Sequence, residues 1–529
     1  MTNTLLRMGR PLGLFFAGAL VSLALVACDN TAPNVPVAAK PGAPAALKEF
    51  HILAGSELRD VAQKVEAFGL ANGTKVVFTF SGSIDAVDKL SETHGFDAAW
   101  LSHGKYLQLV PGVKEQIKAS EKTMYSRVVL GVKPEKVKEL GWTSGKVTWT
   151  QVIAASKAGK FRFAMTNPAG SNTGFVTLVG VASELSGKGD ALQENDIPEG
   201  KLKEFFSGIS LSSGSSGDLA DQFLANPQKA DGIINYESVI TSLSKNGMPL
   251  DVIVPKEGVI TADYPLMLLA SEKQPFYSKL VDYVRQEDTQ KWLAQHTSRT
   301  PLKGNKTDEI INELPFPGNL KVVDAILRGF LDSYSKPASS FFVIDVSGSM
   351  SGNRITDMKS SFKTLVQSDG SVSGRFSTFR NREHVVMTPF SNEVLPSSEF
   401  TLSADAKYNE AALVQANAFI SNLNPNGGTS IYSALLSVYS AAQAKLKTGD
   451  RTVSIVLFTD GANTSGHTFE QFQEYVRSSG EPKVPVYTIQ YGDANANEMQ
   501  GIAKVTGGRL FDAQKVSLKK TLKSIRSYQ

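Results

Sequence analysis

Two aspartates in the last third of the chain stand at the ends of apolar runs. Asp345 directly follows residues 341–344, which read Phe-Phe-Val-Ile, and Asp460 follows residues 453–458 after one intervening threonine. Short apolar runs bounded by turn residues are typical of buried strands. Both carboxylates are therefore predicted where a strand ends, which is the edge where open α/β sheets place their binding sites.

Hydroxyl residues accompany both carboxylates. Ser347 and Ser349 belong to the sequence Asp-Val-Ser-Gly-Ser that begins at Asp345, and Thr429 ends a Gly-Gly-Thr sequence. Carboxylate and hydroxyl oxygens are hard ligands of the kind that Mg²⁺ or Mn²⁺ prefers. We expect the three hydroxyls to coordinate the ion directly, and Asp345 and Asp460 to do so directly or through water. Because most of these ligands are neutral, the ion keeps an open position for a partner's carboxylate.

These motifs resemble the metal-ion-dependent adhesion site of von Willebrand factor type A domains, whose DxSxS, Thr and Asp elements occur here in the same order. The resemblance covers about residues 338–529. It implies a doubly wound, Rossmann-like α/β fold and a protein partner that contributes an acidic side chain to the metal. Taken singly, each fragment is also compatible with a Ser/Asp-rich turn or a helix cap.

The periodicity around these motifs fits that fold. It predicts helices over residues 354–366 and 431–444 and a closing helix from Ser517, with strands over residues 384–390 and 484–491. Strands that alternate with helices are typical of a parallel, doubly wound sheet.

The beginning of the chain resembles a bacterial lipoprotein precursor. Arg7 and Arg10 precede the apolar residues 12–27, which run into Leu-Val-Ala-Cys at Cys28, the single cysteine of the chain. The apolar stretch is short for a membrane span and is typical of a signal peptide, here residues 1–27. An uncleaved membrane anchor is the alternative. The resemblance implies diacylation of Cys28, and two acyl chains anchor a protein stably.

The residues after Cys28 predict a tether to an extracytoplasmic membrane surface. Residues 28–46 are rich in Pro, Ala, Asn and Val and carry little charge, as extended linkers do. Asp29 resembles an inner-membrane retention signal, which indicates the periplasmic face of the inner membrane where a cell has two membranes. The net charge of +4 is small for 529 residues and is not clustered, so no nucleic-acid partner is expected.

Residues 47–303 resemble the two-lobed extracytoplasmic solute-binding proteins of bacteria, with a second lobe at about residues 133–252. The resemblance rests on strand-like runs at residues 50–53, 75–80 and 96–102, of which the first two are followed by a Gly-Ser turn and a helical pattern. The fold class expected for the whole chain is therefore α/β, with a two-lobed periplasmic-binding-protein-like domain followed by the doubly wound domain.

Polar residues at the strand-to-helix turns are the predicted solute contacts. They are Ser56, Ser83, Ser171, Asn172, Thr173 and Tyr236. Backbone N–H groups and the helix dipole favour an anion at such turns, so a small polar solute or an oxyanion is expected. No arginine lies in these turns to pair with a permanent dianion, and Ser and Thr at helix starts are also common N-caps. The identity of the solute stays open.

Residues 304–337 are predicted to connect the two domains. They contain a Pro-rich break and an amphipathic helix over residues 322–334, which would pack between the domains or on the metal-binding domain. The chain has no HExxH, GxSxG or GxxxxGK[ST] motif, and its histidines are scattered, so no enzyme activity is expected.

The resulting hypothesis is a membrane-anchored extracytoplasmic binding protein, extended to a sensor in which solute closure changes partner binding. Two alternatives remain. One is the solute-binding subunit of an ABC-type importer, and the other is a structural adhesin or assembly factor.

Overall fold

The computed structural model describes residues 47–92, 95–302 and 312–529. Cys28, the predicted signal peptide at residues 1–27 and the tether at residues 28–46 lie outside the described residues. So does the predicted boundary between the solute-binding domain and the linker at residues 303–304. Within the described ranges, no helix has both the length and the apolarity needed to cross a membrane.

The N-terminal region, residues 47–302, alternates strands and helices as predicted. Its strands are β1 Lys48–Gly55, β2 Thr74–Ser81, β3 Ala98–Trp100, β4 Ala119–Glu121, β5 Ser126–Val132, β6 Phe163–Thr166, β7 Ile209–Ser213, β8 Gly232–Tyr236, β9 Asp251–Ile253, β10 Ile260–Ala262 and β11 Leu266–Leu268. Its helices are α1 Arg59–Ala71, α2 Ser83–Glu92, α3 Lys105–Leu109, α4 Pro134–Leu140, α5 Trp149–Lys157, α6 Asn172–Ser186, α7 Glu199–Phe206, α8 Ser216–Ala225, α9 Glu237–Lys245, α10 Gln274–Arg285 and α11 Glu287–Thr297.

Two sheets divide this region into two lobes. The first lobe has the strand order β2-β1-β3-β11-β4, and the second has the order β10-β5-β8-β6-β7 with β9 paired to β5. The chain crosses between them after β4 and again between β10 and β11. The predicted range of the second lobe, residues 133–252, is therefore shorter than its sheet, because β5 and β10 pair antiparallel with each other inside it. Hydroxyl-bearing turns from both lobes meet where the lobes face each other.

A connecting helix, α12 Leu320–Gly329, continues into a wider turn at Phe330–Tyr334. Its apolar side chains join the core of the N-terminal region, where the helix packs against α6. Asp324 on its polar side accepts a hydrogen bond from Tyr106 Oη at 3.0 Å and pairs with Arg375 of the C-terminal region at 2.8 Å. The helix therefore contacts both regions, one through its apolar face and the other through an ion pair.

The C-terminal region, from residue 338 onward, forms a third sheet with helices on both faces. Its strands are β12 Ala338–Asp345, β13 His384–Phe390, β14 Ser398–Thr401, β15 Thr452–Thr459, β16 Val486–Gln490 and β17 Arg509–Asp512, in the order β14-β13-β12-β15-β16-β17. Its helices are α13 Asn353–Val366, α14 Glu410–Ser421, α15 Ile431–Lys447, α16 Phe469–Ser478, α17 Ala496–Thr506 and α18 Leu518–Arg526.

Separate apolar clusters cover the two faces of this sheet. Helices α13, α14 and α18 contribute to one cluster, and α15, α16 and α17 contribute to the other. Every residue of β12 is buried, which explains the apolar run at residues 341–344. The α/β fold class expected from the sequence is confirmed, and the C-terminal ends of β12 and β15 lie side by side at one edge of the sheet.

Candidate functional site

The first candidate site lies where β12 and β15 end. Asp345 is the last residue of β12, and its Oδ1 accepts a hydrogen bond from the backbone N–H of Ser347 at 2.7 Å. The hydroxyl of Ser347 lies 3.0 Å from that of Ser349. Ser349 in turn donates to Oδ1 of Asp460 at 2.7 Å. The structure therefore brings these four predicted ligands into one hydrogen-bonded group.

The loop that carries Thr429 lies against this group. The backbone N–H of Gly348 donates to the carbonyl of Gly427 at 2.8 Å, which holds the two loops together. Gly427 has a φ of +78°, and a Cβ there would lie 2.8 Å from the amide of Asn392, so a residue with a side chain would be strained. Thr429 is buried, and its N–H donates to Thr464 Oγ1 at 2.8 Å.

Two carboxylates are buried together at this site. Asp345 and Asp460 are both fully buried. Burial raises the pKa of the Asp345 carboxyl, and the neighbouring charge of Asp460 raises it further, against the hydrogen bonds from Ser347 and Thr459. A bound cation would offset this repulsion between like charges. Ser349 is exposed, so the group opens to solvent on one side.

Arg354 is a residue of this site that the sequence did not reveal. Its Nη1 lies 2.5 Å from Oδ2 of Asp460, and its Nη2 lies 2.6 Å from Oδ2 of Asp493. The only sequence signal was its position at the start of the helix that follows the first metal loop. Arg354 supplies the positive charge that Asp460 faces in this structure.

The donor set fits a hard divalent cation. It consists of hydroxyl and carboxylate oxygens, which suit Mg²⁺ or Mn²⁺. Across the described ranges, no three His, Cys, Asp or Glu side chains cluster closely enough to hold a metal. Coordination at this site would therefore depend on the hydroxyls as much as on the two aspartates.

The second candidate site is a cavity of about 790 Å³ between the two lobes. Of the predicted solute contacts, Ser56, Ser83, Ser171, Asn172 and Tyr236 line it. Thr173 does not. It is fully buried, and its hydroxyl lies 2.8 Å from that of Thr166, so it packs inside the second lobe.

The hydroxyl and amide side chains of this cavity bond to one another across the lobes. Ser83 of the first lobe donates to Oδ1 of Asn172 of the second at 3.2 Å. Asn172 Nδ2 donates to the hydroxyl of Tyr236 at 3.1 Å. Tyr236 also reaches Ser102 of the first lobe. These groups hold the lobes together and are neutral donors and acceptors that a polar solute can use.

Charged residues of the cavity were missed from the sequence. Glu57 stands next to the predicted Ser56, and burial raises the pKa of its carboxyl from an ordinary value of 4.5. Arg299 is almost fully buried and donates to Asp60 Oδ2 and to the carbonyl of Glu57, both at 2.7 Å. Arg59 lies over the ring of Phe80 at 4.2 Å and also lines the cavity. No local pattern signals that the fold will enclose a charged group, which is why neither Glu57 nor Arg299 was predicted.

A third wall of the cavity comes from the C-terminal region. Its lining residues include Arg509, Lys520, Lys523, Ser527 and Tyr528. Arg509 and the hydroxyl of Tyr528 both contact the carboxylate of Asp218 on α8, in the second lobe.

The C-terminal region also contacts the first lobe. The carboxylate of Asp88 on α2 accepts hydrogen bonds from the backbone N–H groups of Val372 at 2.6 Å and Ser373 at 2.9 Å. Lys520 lies 3.8 Å from Glu92 on the same helix. The C-terminal region thus bridges both lobes at the mouth of the cavity.

Comparison with protein families identifies both regions. Residues 50–296 match the family model described as bacterial extracellular solute-binding protein, and residues 341–526 match that of the von Willebrand factor type A domain. The chain therefore contains a solute-binding domain followed by a type A domain. Solute-binding and type A domains of these families are typically non-enzymatic.

Curated relatives match over a limited part of their length. Inter-alpha-trypsin inhibitor heavy chain H3 of Rattus norvegicus is 28% identical over 214 residues, which are 38% of this chain and 22% of the relative. The human H3 chain is 26% identical over 196 residues, 35% of this chain and 20% of the relative. Heavy chain H2 of Mus musculus is 30% identical over 181 residues, 32% of this chain and 18% of the relative. The chain spans only about a fifth of these relatives.

Solved structures with similarity to this chain include periplasmic binding proteins. The periplasmic binding protein P5PA covers 54% of this chain and 100% of its own, with 14% identity and a TM-score of 0.41. The protein AfuA of Actinobacillus pleuropneumoniae covers 54% and 99%, with 13% identity and a TM-score of 0.42. A periplasmic thiamin binding protein covers 55% and 98%, with 11% identity and a TM-score of 0.42.

Proposed function

We propose that this chain, whose two domains are a bacterial extracellular solute-binding domain and a von Willebrand factor type A domain, senses a small polar solute and responds through a protein partner. One observation carries the proposal: the type A domain forms a wall of the solute cavity. Solute binding in that cavity would therefore alter contacts made by the domain that would recruit the partner.

The partner site is the divalent-cation site at the end of β12 and β15. Ser347, Ser349 and Thr429 would hold Mg²⁺ or Mn²⁺, with Asp345 and Asp460 acting directly or through water. When bound, the ion supplies a positive charge to which an aspartate or glutamate of a partner protein binds. The buried aspartates favour a cation here because the neighbouring charge of Asp460 raises the pKa of the Asp345 carboxyl, and a cation would offset that repulsion.

A continuous set of packed elements connects the two sites. Helix α18 carries Lys520 and Lys523 in the cavity wall and packs against α13. Helix α13 begins just after the first metal loop and carries Arg354, which contacts Asp460. Closure or opening of the lobes would shift α18 and, through it, α13. The shift of α13 would move Arg354, whose positive charge competes with the metal for Asp460. This arrangement supports a sensor.

The match of residues 50–296 to bacterial extracellular solute-binding proteins supports a location outside the cytoplasm. We further propose that Cys28 is lipidated, so that the protein is held at the membrane surface from which its domains extend. Replacement Cys28→Ser should release the protein from membranes or leave its precursor uncleaved. Unchanged mature size together with retained membrane association would argue against lipidation.

The solute-binding subunit of an ABC-type importer is the second candidate function. The match of residues 50–296 to extracellular solute-binding proteins favours it. Uptake measurements separate the two, because an importer subunit would keep transporting when Asp345 is replaced, whereas a sensor would lose its partner response.

The coupling between the sites is testable with the purified protein. A panel of polyols, amines and inorganic oxyanions is screened for compounds that raise the melting temperature. A stabilising compound is then added during a titration with Mg²⁺. We expect its presence to change the affinity for Mg²⁺, and Mg²⁺ to change the affinity for the compound by the same factor. No stabilising compound would contradict solute binding, and an unchanged Mg²⁺ affinity would contradict the coupling alone.

A further inference from the structure

Glu57 occupies the turn at which an anionic solute would be expected to bind. Its side chain folds back over Gly55, where a Cβ atom would overlap with the carboxylate oxygen Oε1 of Glu57. Gly55 ends β1, so the carboxylate lies over the first strand-to-helix turn of the first lobe. The protein thus places a negative charge of its own at this turn.

One oxygen of this carboxylate lacks a hydrogen-bond donor. Oε1 is covered from solvent and accepts no hydrogen bond from the described residues. Hydrogen-bond donors close to the carboxyl group are Ser102 and the backbone N–H of Glu57 itself. A buried carboxylate oxygen without a donor is costly, so a shift of this side chain toward a donor on a bound solute would stabilise it.

Most of the cations that line the cavity are already engaged by carboxylates, while Arg59 lies over the ring of Phe80. The charge of Arg299 lowers the pKa of Glu57, but its Nη1 donates a hydrogen bond to Asp60 and its Nη2 donates one to the backbone carbonyl of Glu57. Lys523 lies 2.9 Å from Asp369, and Arg509 contacts Asp218. An incoming oxyanion would therefore meet the negative charge of Glu57 in a cavity whose described cations, apart from Arg59, already contact carboxylates.

Three helices begin at this cavity, and their N-termini would otherwise suit an anion. Ser83 at the start of α2, Asn172 at the start of α6 and Ser216 at the start of α8 all line it. Backbone N–H groups and the helix dipoles make such positions favourable for negative charge. Glu57 supplies negative charge to the same cavity from within the protein.

The size of the cavity points away from a simple oxyanion. Its volume is about 790 Å³, within the range of roughly 300–1,000 Å³ that is usual for sites of metabolite-sized ligands. The hydroxyl and amide groups of Ser83, Ser102, Asn172 and Tyr236 can both donate and accept hydrogen bonds. They suit a solute with many polar groups.

We propose that Glu57 determines the specificity of the cavity, which takes a polar metabolite that presents N–H or O–H donors to this carboxylate and excludes inorganic oxyanions. This inference rests on the proposed solute-binding function and names its solute class.

The decisive experiment uses inorganic phosphate and sulfate as probes and does not require the natural solute. Calorimetric titration of the full chain is compared with that of Glu57→Gln. At a pH above the raised pKa of Glu57, the wild-type protein should not bind either anion measurably, because the ionised carboxylate repels it. The variant keeps the size of the side chain but loses the charge, so the helix N-termini should then accept the anion with affinity at least about tenfold higher.

Asp221→Asn is the matched control. Asp221 lines the same cavity from α8 but is exposed, and its replacement changes the net charge of the protein equally. This control should leave anion binding as weak as in the wild type. Tight anion binding by the wild type, or no gain in Glu57→Gln, would overturn the inference, as would an equal gain in the control.

Two further measurements identify which chemical groups of a solute donate hydrogen bonds to Glu57. Thermal unfolding is followed with diamines such as putrescine and with polyols such as glucose, for the wild type and for Glu57→Gln. Stabilisation of the wild type that the variant loses supports the inference and assigns the donors to ammonium or hydroxyl groups. Stabilisation that is equal in both proteins would overturn the role of Glu57 while leaving solute binding intact.

Discussion

The cation site and the solute cavity are built from different kinds of contact. All five predicted metal ligands belong to the type A domain, on three loops at one edge of a single sheet. The groups around the solute cavity come from two lobes and from the type A domain. The cation site therefore depends on local geometry, whereas the cavity depends on how separately folded parts are held together.

Helix α18 connects the two sites, because its residues line the cavity while its end is anchored in the type A domain. Arg526 at the end of α18 forms hydrogen bonds with both oxygens of Glu383, at 2.8 and 2.7 Å, and both residues are almost fully buried. Replacements at this ion pair, at the cation site and at the cavity can therefore be compared to distinguish the contributions of the two sites.

The largest effect is expected for Glu383→Ala. It leaves the buried Arg526 without its carboxylate partner and removes a negative charge near the buried Arg380. Breaking a buried ion pair in this way typically costs about 3–5 kcal/mol. Chemical denaturation should show this loss of unfolding free energy. As a control, Glu399→Ala removes an exposed carboxylate from β14 and should change stability by less than about 1 kcal/mol. Equal stability of the two variants would show that α18 is not anchored by this pair.

A second effect of comparable size is expected at the cation site. In the wild type, Mg²⁺ at about one hundred times its dissociation constant should raise the free energy of unfolding by about 2.7 kcal/mol. In Asp345→Asn this stabilisation should vanish. Without metal, the variant should be no less stable than the wild type, because it removes a buried charge that is close to Asp460. Thermal unfolding with and without Mg²⁺ measures both quantities.

Asp405→Asn provides the control for this experiment, since Asp405 is exposed and pairs with Lys407 on the surface. It should retain the full response to Mg²⁺. A response that persists in Asp345→Asn would remove Asp345 from the ligand set and leave the cation site without its central carboxylate.

The same difference explains what could be predicted from the sequence. Asp345, Ser347 and Ser349 follow one another within five residues, and the strand before them is apolar because both of its faces are covered. Their convergence with Asp460 follows from the adjacency of β12 and β15. The meeting of these residues was therefore predictable, while metal binding itself stays a prediction.

The cavity was only partly predictable. Asn172 and Tyr236 could be inferred because strand-end turns of a two-lobed fold face the cleft. Thr173 could not be distinguished from Asn172, since one residue of helical rotation turns its hydroxyl toward Thr166. Contacts such as that between Tyr528 and Asp218 join residues far apart in the chain and depend on the fit of two surfaces, which no local pattern encodes.

An intermediate effect is expected where the type A domain contacts the first lobe. In Asp88→Asn one acceptor is replaced by an amide, which weakens the two hydrogen bonds from Val372 and Ser373 by about 1–3 kcal/mol. Hydrogen exchange of these two amide groups should accelerate, while the response to Mg²⁺ is retained. Asp282→Asn, on the exposed face of α10, should leave the exchange unchanged. Unaltered exchange in Asp88→Asn would show that this contact does not hold the domains together.

The smallest effect is expected from titration of Glu57. Its pKa is raised in the folded state by burial, so the folded protein retains the proton to higher pH than the unfolded chain, for which the ordinary value is 4.5. Its contribution to stability is therefore fully present below pH 4.5 and is lost as the pH rises through the raised pKa. Glu57→Gln cannot titrate, so the stability of this variant relative to the wild type should increase with pH above 4.5. Denaturation at several pH values measures this difference, and a constant difference would show that the carboxyl is not buried in solution.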